Sequence, residues 1–111
     1  MSVADLPVEI SVTALHQMRS SGAILTVLDV REDDEVTLAS FAGATHIPMS
    51  EVPSRLDELS RNRDIIVLCH SGGRSSLVAA YLRSNGFPRV ANLRGGIDAW
   101  SQQIDPGVPR Y

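Results

Sequence analysis

Cys69, the only cysteine in the chain, stands where a nucleophile could be activated. It follows the apolar run Ile65–Leu68, which predicts a buried strand, and it precedes a glycine-containing turn and a helical pattern from about Arg74. Such a cysteine lies at the carboxyl end of a strand and faces the amino-terminal end of a helix. Because that end presents unpaired N–H groups and a partial positive charge, it stabilises a thiolate. We therefore predict that Cys69 is a nucleophile held among backbone amides.

The spacing between Cys69 and Arg74 sets the size of this site. Four residues lie between them: His70, Ser71, Gly72 and Gly73. Successive N–H groups that point inward form a concave anion site, and glycines permit the tight backbone that it needs. The corresponding loop of cysteine-dependent phosphatases is one residue longer and surrounds a tetrahedral oxyanion. The shorter loop here favours an extra sulfur atom on the cysteine, so it predicts a persulfide in preference to a phosphocysteine.

The count of one cysteine excludes several kinds of chemistry within this chain. It permits neither an intramolecular disulfide nor a Cys-x-x-Cys redox pair, and it cannot supply a thiolate zinc cluster. His16 and His46 show no ligand-like spacing, so we expect no metal. Chemistry at Cys69 must therefore pass through an adduct or a bond to another molecule.

Length and composition are those of one globular domain: 111 residues, 43% hydrophobic and 21% charged. The net charge of −3 at pH 7 gives no electrostatic reason to expect nucleic acid or an anionic membrane as a partner. No apolar run is long enough to span a bilayer. Residues 1–7 lack the basic and long apolar regions of a secretory signal, so we expect a cytoplasmic protein.

Short apolar runs alternate with helical patterns, which predicts a single α/β domain with a largely parallel sheet. The predicted strands are Glu9–Ser11, Ala23–Val30, a brief one closed by Pro48, Ile65–Leu68 and Val90–Leu93. The predicted helices are Val12–Ser20, a short helix or loop within Arg31–Ser40, Pro53–Arg61, Arg74–Ser84 and one with Ile97 and Trp100. In the fourth of these, the residues expected on the buried face are Leu77, Val78, Tyr81 and Leu82.

Ligand sites of parallel sheets lie beyond the carboxyl ends of the strands. Four polar side chains follow or end strands in this way: Asp29, Arg31, Cys69 and Arg94. We interpret Asp29 and Arg31 as a structural pair near the pocket that ties a strand end to the next loop. The acidic run Glu32–Glu35 is interpreted as a solvated face.

Four segments carry a family resemblance, in the family's order. They are Asp29–Glu32, Gly43–Pro48, Ile66–Cys69 with Gly72, Arg74 and Ser75, and Asn92–Ile97 with Ala99 and Trp100. Together they resemble the small single-domain rhodanese-like sulfurtransferases over about Ile10 to Trp100. The resemblance implies a five-stranded parallel sheet with helices on both faces. It also implies one rhodanese domain over 1–111, with a core of about 10–103 and a tail of 104–111.

The same resemblance implies a mechanism. The Cys69 thiolate would attack the sulfane sulfur of a donor such as thiosulfate, and the resulting persulfide would pass to cyanide, a small thiol or a protein thiol. Asp29 and Arg31 would support the pocket, and no cofactor is implied. The loop that would bind the donor and the persulfide comprises His70, Ser71, Gly72, Gly73, Arg74 and Ser75.

Two departures and the tail refine this expectation. His70 stands where the family often has an arginine, and a neutral imidazole would bind an anionic donor less well than a protonated one. Residues 39–44 depart from the usual family segment, which could alter access for the acceptor. The tail Asp105–Tyr111 looks like that of rhodanese domains fused to ubiquitin-activating-like adenylating enzymes, so a ubiquitin-like sulfur carrier is a candidate acceptor.

Two other functions remain open at this stage. A phosphatase or arsenate reductase is disfavoured by the short loop and by the lack of a second cysteine. A non-catalytic protein-interaction domain is disfavoured because binding-only relatives typically lose the nucleophile, whereas Cys69 and its loop are intact here.

Overall fold

A computed structural model describes residues 6–111. The expectation that there is no secretory signal depends on residues that lie in part outside this range. The strands are β1 (Glu9–Ile10), β2 (Leu25–Asp29), β3 (Thr45–His46), β4 (Asp64–Leu68) and β5 (Val90–Leu93). The α-helices are α1 (Val12–Ser20), α2 (Asp33–Leu38), α3 (Gly73–Ser84) and α4 (Gly96–Gln103). None of the helices in the described range is long and apolar enough to cross a membrane.

The five strands form one sheet in the order β1-β5-β4-β2-β3, and every neighbouring pair is parallel. This confirms the predicted five-stranded parallel sheet. Strand β4 is central, with Leu68 opposite Asp29 of β2 and Val67 opposite Asn92 of β5. Because the strands are parallel, the carboxyl ends of β2, β4 and β5 open at one edge of the sheet, and Cys69 lies there.

Strand β4 is buried from both sides because successive side chains of a strand point to opposite faces. Ile65 and Val67 belong to one core cluster, together with residues of α3. Ile66 and Leu68 belong to the other, together with residues of α1 and α4. Helices thus cover both faces of the sheet, as predicted, and β4 holds the following residue in a rigid position.

The buried face of α3 differs from the prediction. Leu77 is 64% exposed and Tyr81 is 37% exposed, so placing them in the core was wrong. The residues of α3 that are buried are Ser75, Val78, Ala79 and Leu82. The helix is rotated so that polar Ser75 faces Cys69, and a hydrophobic pattern does not select a serine for an inner face.

The predicted helix Pro53–Arg61 is also wrong. Two 3₁₀ helices, Met49–Ser54 and Leu56–Glu58, stand in its place, and Pro53 lies inside the first of them. The Arg55 side chain bridges the two by pairing with Glu51 and Glu58. A proline in the first turn of a helix is tolerated, but the chain leaves the helical region at Arg55, whose φ is −127°, so no α-helix continues from Pro53.

Candidate active site

Cys69 lies directly after β4 and is only 1% exposed. Its Sγ accepts a hydrogen bond from the N–H of Gly72 at 3.1 Å and lies 3.2 Å from Ser75 Oγ, which donates to it. Gly72 has φ of 113°, a left-handed conformation that favours glycine and turns its N–H toward the sulfur. The chain after β4 therefore forms a cup around the sulfur, made of residues 70–75.

The cup stabilises the thiolate. Burial by itself raises the pKa of the Cys69 thiol, because it removes the charged form from water. The hydroxyl and N–H of Ser75 act in the opposite direction, as do the N–H groups of Gly72 and Ser71. The hydrogen bonds outweigh burial, so the pKa of Cys69 is lowered overall. A thiol in this state is a better nucleophile at neutral pH than an ordinary buried cysteine.

Helix α4 fixes the orientation of the cup. The N–H groups of Ile97 and Asp98 donate to the carbonyls of Cys69 and His70, each at 3.0 Å. Gly96 has φ of 56°, and a Cβ on it would overlap both of those carbonyl oxygens. Because the first turn of α4 takes up the carbonyls, the amides that follow are free to point at the sulfur. Sequence reasoning used this segment only for its family resemblance, and its paired glycines were the available signal for the contact.

A chain of polar groups continues from the sulfur into the sheet. Ser75 Oγ lies 2.5 Å from Asn92 Oδ1, and Asn92 Nδ2 donates to Glu9 Oε2 at 3.1 Å. Both Ser75 and Asn92 are buried. A hydroxyl has one proton, so Ser75 can donate either to the thiolate or to Asn92. Sequence reasoning did not single out Asn92, although a polar residue inside the buried strand β5 was a signal.

The guanidinium group of Arg74, the last charged residue of the loop, is paired with a carboxylate. Its Nη1 and Nη2 donate to the two carboxylate oxygens of Glu35 at 2.6 and 2.9 Å. Arg74 is the main cause that lowers the pKa of Glu35 to about 2. The interpretation of the acidic run as a solvated face was therefore wrong for Glu35, whose side chain is 17% exposed. The charge of Arg74 is compensated within the protein.

Asp29 and Arg31 form a buried pair at the end of β2. Arg31 Nη2 donates to Asp29 Oδ2 at 2.7 Å and to the Ala39 carbonyl at 2.7 Å. Arg31 Nη1 also donates to the Glu35 carbonyl at 3.3 Å. These contacts tie the strand end to α2, and thereby hold Glu35 beside the cup.

Tyr111 lies on the rim of the cup. Its ring stacks on His70, with centroids 4.3 Å apart and planes inclined by 18°. Its hydroxyl donates to Glu35 Oε2 at 2.8 Å and accepts from Arg31 Nη1 at 3.1 Å. Tyr111 is a site residue that sequence reasoning missed, because the tail was considered only for its resemblance to fused domains.

The remaining polar candidates lie apart from the sulfur. Arg94 has an exposed side chain whose Nη1 is 4.0 Å from Glu9 Oε1. His16 packs edge-on against Trp100, and His46 contacts the Arg31 carbonyl through Nε2. Across residues 6–111, no group of three potential ligand side chains is placed to hold a metal ion.

Comparison with known proteins identifies the class to which this fold and site belong. The family model described as the rhodanese-like domain matches residues 11–103, so the chain belongs to that family. A sulfurtransferase of Allochromatium vinosum is 36% identical over 101 residues, which span 91% of this chain and 92% of that protein. YrkF of Bacillus subtilis, whose name describes a candidate sulfur carrier protein, is 41% identical over 97 residues, or 87% of this chain.

The chain spans 52% of YrkF, so it corresponds to about half of that relative. It also matches part of MoeZ of Mycobacterium tuberculosis, named as a probable adenylyltransferase/sulfurtransferase, with 33% identity over 99 residues and 25% of that protein. Among solved structures, a rhodanese-like domain protein of Staphylococcus aureus superposes with a TM-score of 0.80 at 29% identity, covering 93% of this chain and 97% of that one. These relatives support a rhodanese-like sulfurtransferase. The match to MoeZ also confirms the predicted resemblance to rhodanese domains that are fused to adenylating enzymes.

Proposed function

We propose that this protein transfers sulfane sulfur through a persulfide on Cys69. The observation that carries the proposal is the thiolate cup, in which Gly72 and Ser75 donate to the buried Sγ and its pKa is lowered. The names of the relatives support the reaction class. The short spacing from Cys69 to Arg74 supports sulfur over phosphate as the group carried.

The first half-reaction loads the cysteine. The Cys69 thiolate attacks the sulfane sulfur of a donor such as thiosulfate and forms the new S–S bond. The old sulfur–sulfur bond breaks, and its electron pair leaves with sulfite. One anion and one dianion enter, and one persulfide anion and one sulfite dianion result, so no oxidant or reductant is required. The loop amides that stabilise the thiolate also suit the outer sulfur of the persulfide.

The second half-reaction unloads it. An acceptor nucleophile, such as cyanide or a thiolate, attacks the outer sulfur, and Cys69 leaves as the thiolate. We propose a protein thiol as an alternative acceptor nucleophile, supported by the similarity to YrkF, named as a sulfur carrier protein. A ubiquitin-like sulfur carrier, whose carboxyl terminus would first have to be activated, stays a prediction, and the similarity to the adenylyltransferase/sulfurtransferase MoeZ supports it. Cytoplasmic location and the single-domain organisation of 1–111 stay predictions.

The test is to incubate the protein with thiosulfate and to measure its intact mass. We expect a gain equal to one sulfur atom, reversed by dithiothreitol and absent in Cys69→Ala. The same measurement with mercaptopyruvate and polysulfide extends the test to other donors. Repeated failure of every donor to load the protein would refute the proposal. Cys69-dependent turnover of an aryl phosphate would support a phosphatase instead.

A further inference from the structure

Tyr111 connects the two ends of the cup. Its ring stacks on His70, the first residue after the nucleophile, at a centroid distance of 4.3 Å. Its hydroxyl donates to Glu35 at 2.8 Å, and the same carboxylate holds Arg74, the last charged residue of the loop. Tyr111 therefore contacts one end of the cup directly and is linked to the other end through Glu35, which places its ring on the rim above the buried sulfur.

The tail that carries Tyr111 is anchored close to the cup. Arg110 Nε donates to Asp98 Oδ1 at 2.9 Å, and Asp98 is the residue whose N–H holds the His70 carbonyl. Further back, Ser101 Oγ donates to the Val108 carbonyl at 2.5 Å. Helix α4 therefore anchors both the backbone of His70 and the segment that carries Tyr111.

Charge at the rim is already compensated. Three guanidinium groups border it, and each is paired with a carboxylate: Arg74 with Glu35, Arg31 with Asp29, and Arg110 with Asp98. The Nε2 atom of His70 is buried and has no hydrogen-bond partner among the described residues. A donor therefore meets two flat rings and paired charges, a setting that suits a planar apolar group better than a second negative charge.

We propose that Tyr111 determines the donor specificity of the proposed sulfur transfer, on which this inference rests. Tyr111 and His70 form a wall of two rings that favours donors with an aromatic group next to the sulfane sulfur. Tyr111 is 38% exposed, so its ring is accessible to such a group. With a thiosulfonate donor, the Cys69 thiolate takes the terminal sulfur and the sulfinate leaves with the electron pair. The thiolate and the thiosulfonate, each with one negative charge, thus give one persulfide anion and one sulfinate anion.

Three donors separate the contribution of the ring from that of charge. Benzenethiosulfonate has one charge and a ring, methanethiosulfonate has one charge and no ring, and thiosulfate has two charges and no ring. The second-order rate constant for persulfide formation is measured by intact mass for each donor in single-turnover experiments. The decisive quantity is the ratio of the rate constants for the benzene and methane donors, compared between variants, because intrinsic donor reactivity then cancels.

In Tyr111→Ala we expect that ratio to fall about two- to twelvefold, the range expected for loss of an aromatic pair. In Tyr111→Phe the ring remains, so the ratio should stay within about twofold of wild type. The ratio for thiosulfate and methanethiosulfonate should stay within about twofold of wild type in both variants, because neither donor has a ring and the Arg74–Glu35 and Arg31–Asp29 pairs do not include Tyr111. Tyr81→Ala, which removes another partly exposed tyrosine, is the matched control and should leave all ratios unchanged.

An unchanged ratio in Tyr111→Ala would overturn this role while leaving the proposed function intact. Failure of wild-type protein to form a Cys69 persulfide with any of the three donors would overturn both. If Tyr111→Ala does not fold, as judged by thermal melting, Tyr111→Leu keeps the apolar volume without the aromatic face. The same fall is expected in Tyr111→Leu, and an unchanged ratio there would refute the role equally.

Discussion

Replacing Ser75 by alanine tests the cup at its best-defined contact. The hydroxyl donates to Cys69 Sγ at 3.2 Å, so Ser75→Ala removes a hydrogen bond to an anion. Such bonds contribute about 1.5–3 kcal/mol, and one pKa unit corresponds to about 1.4 kcal/mol. Since Asn92 competes for the same proton at 2.5 Å, we take the lower part of that range and expect the pKa of Cys69 to rise by about one unit.

The rise can be measured from the pH dependence of alkylation by iodoacetamide, with the ultraviolet absorbance of the thiolate as a second readout. Below the pKa, a rise of about one unit lowers the thiolate fraction about tenfold. The persulfide-forming rate should fall with it. Ser76→Ala is the matched control, because Ser76 is the exposed neighbour on the same helix. An unchanged pKa in Ser75→Ala, or an equal rise in the control, would refute the assignment of the hydroxyl to the thiolate.

Three further predictions follow from the surroundings of the cup. The pKa of Glu35, lowered from 4.5 to about 2, means that its pairing with Arg74 stabilises the fold fully above pH 4.5 and is lost as the pH falls toward 2. Acid titration of the free energy of unfolding should therefore show a decline across that window that is smaller in Glu35→Gln, and an identical decline would contradict it. Gly96→Ala should lower persulfide formation at least tenfold, because its Cβ would displace two cup carbonyls, whereas Gly73→Ala has open space and should keep most activity. Equal effects of the two glycine variants would contradict this. His70→Arg adds a cation at the rim and should lower the KM for thiosulfate about three- to tenfold with little change in kcat, and an unchanged KM would rule out a steering role for that position.

Much of the site could be predicted from local sequence. The apolar run before Cys69, the glycines after it and the following helical pattern are neighbours in the chain. Each acts through backbone preference or burial within a few residues, so the strand, the turn and the helix start follow from them. The alternation of strands and helices likewise predicted a parallel sheet, and the sheet placed the cysteine at its carboxyl edge.

The parts of the site that the sequence did not predict depend on contacts between distant segments. Arg74 meets Glu35 across 39 residues, and Tyr111 reaches the same carboxylate across 76. No periodicity links such positions, because their encounter depends on how α2 and the tail pack around the finished sheet. The rotation of α3 was missed for a different reason, since Ser75 faces inward for polar contacts with the sulfur and with Asn92 and not for hydrophobicity.

The sequence by itself determined the candidate nucleophile Cys69, the length of the loop after it and the class of sheet that presents it, because these follow from residue types at fixed local spacing. Only the tertiary structure decided what surrounds the sulfur: the first turn of α4 on the loop carbonyls, Asn92 behind Ser75, and the carboxylate and ring on the rim. Hydrogen bonds and charge pairs act over a few ångströms in space, and the folded chain alone sets which groups come that close.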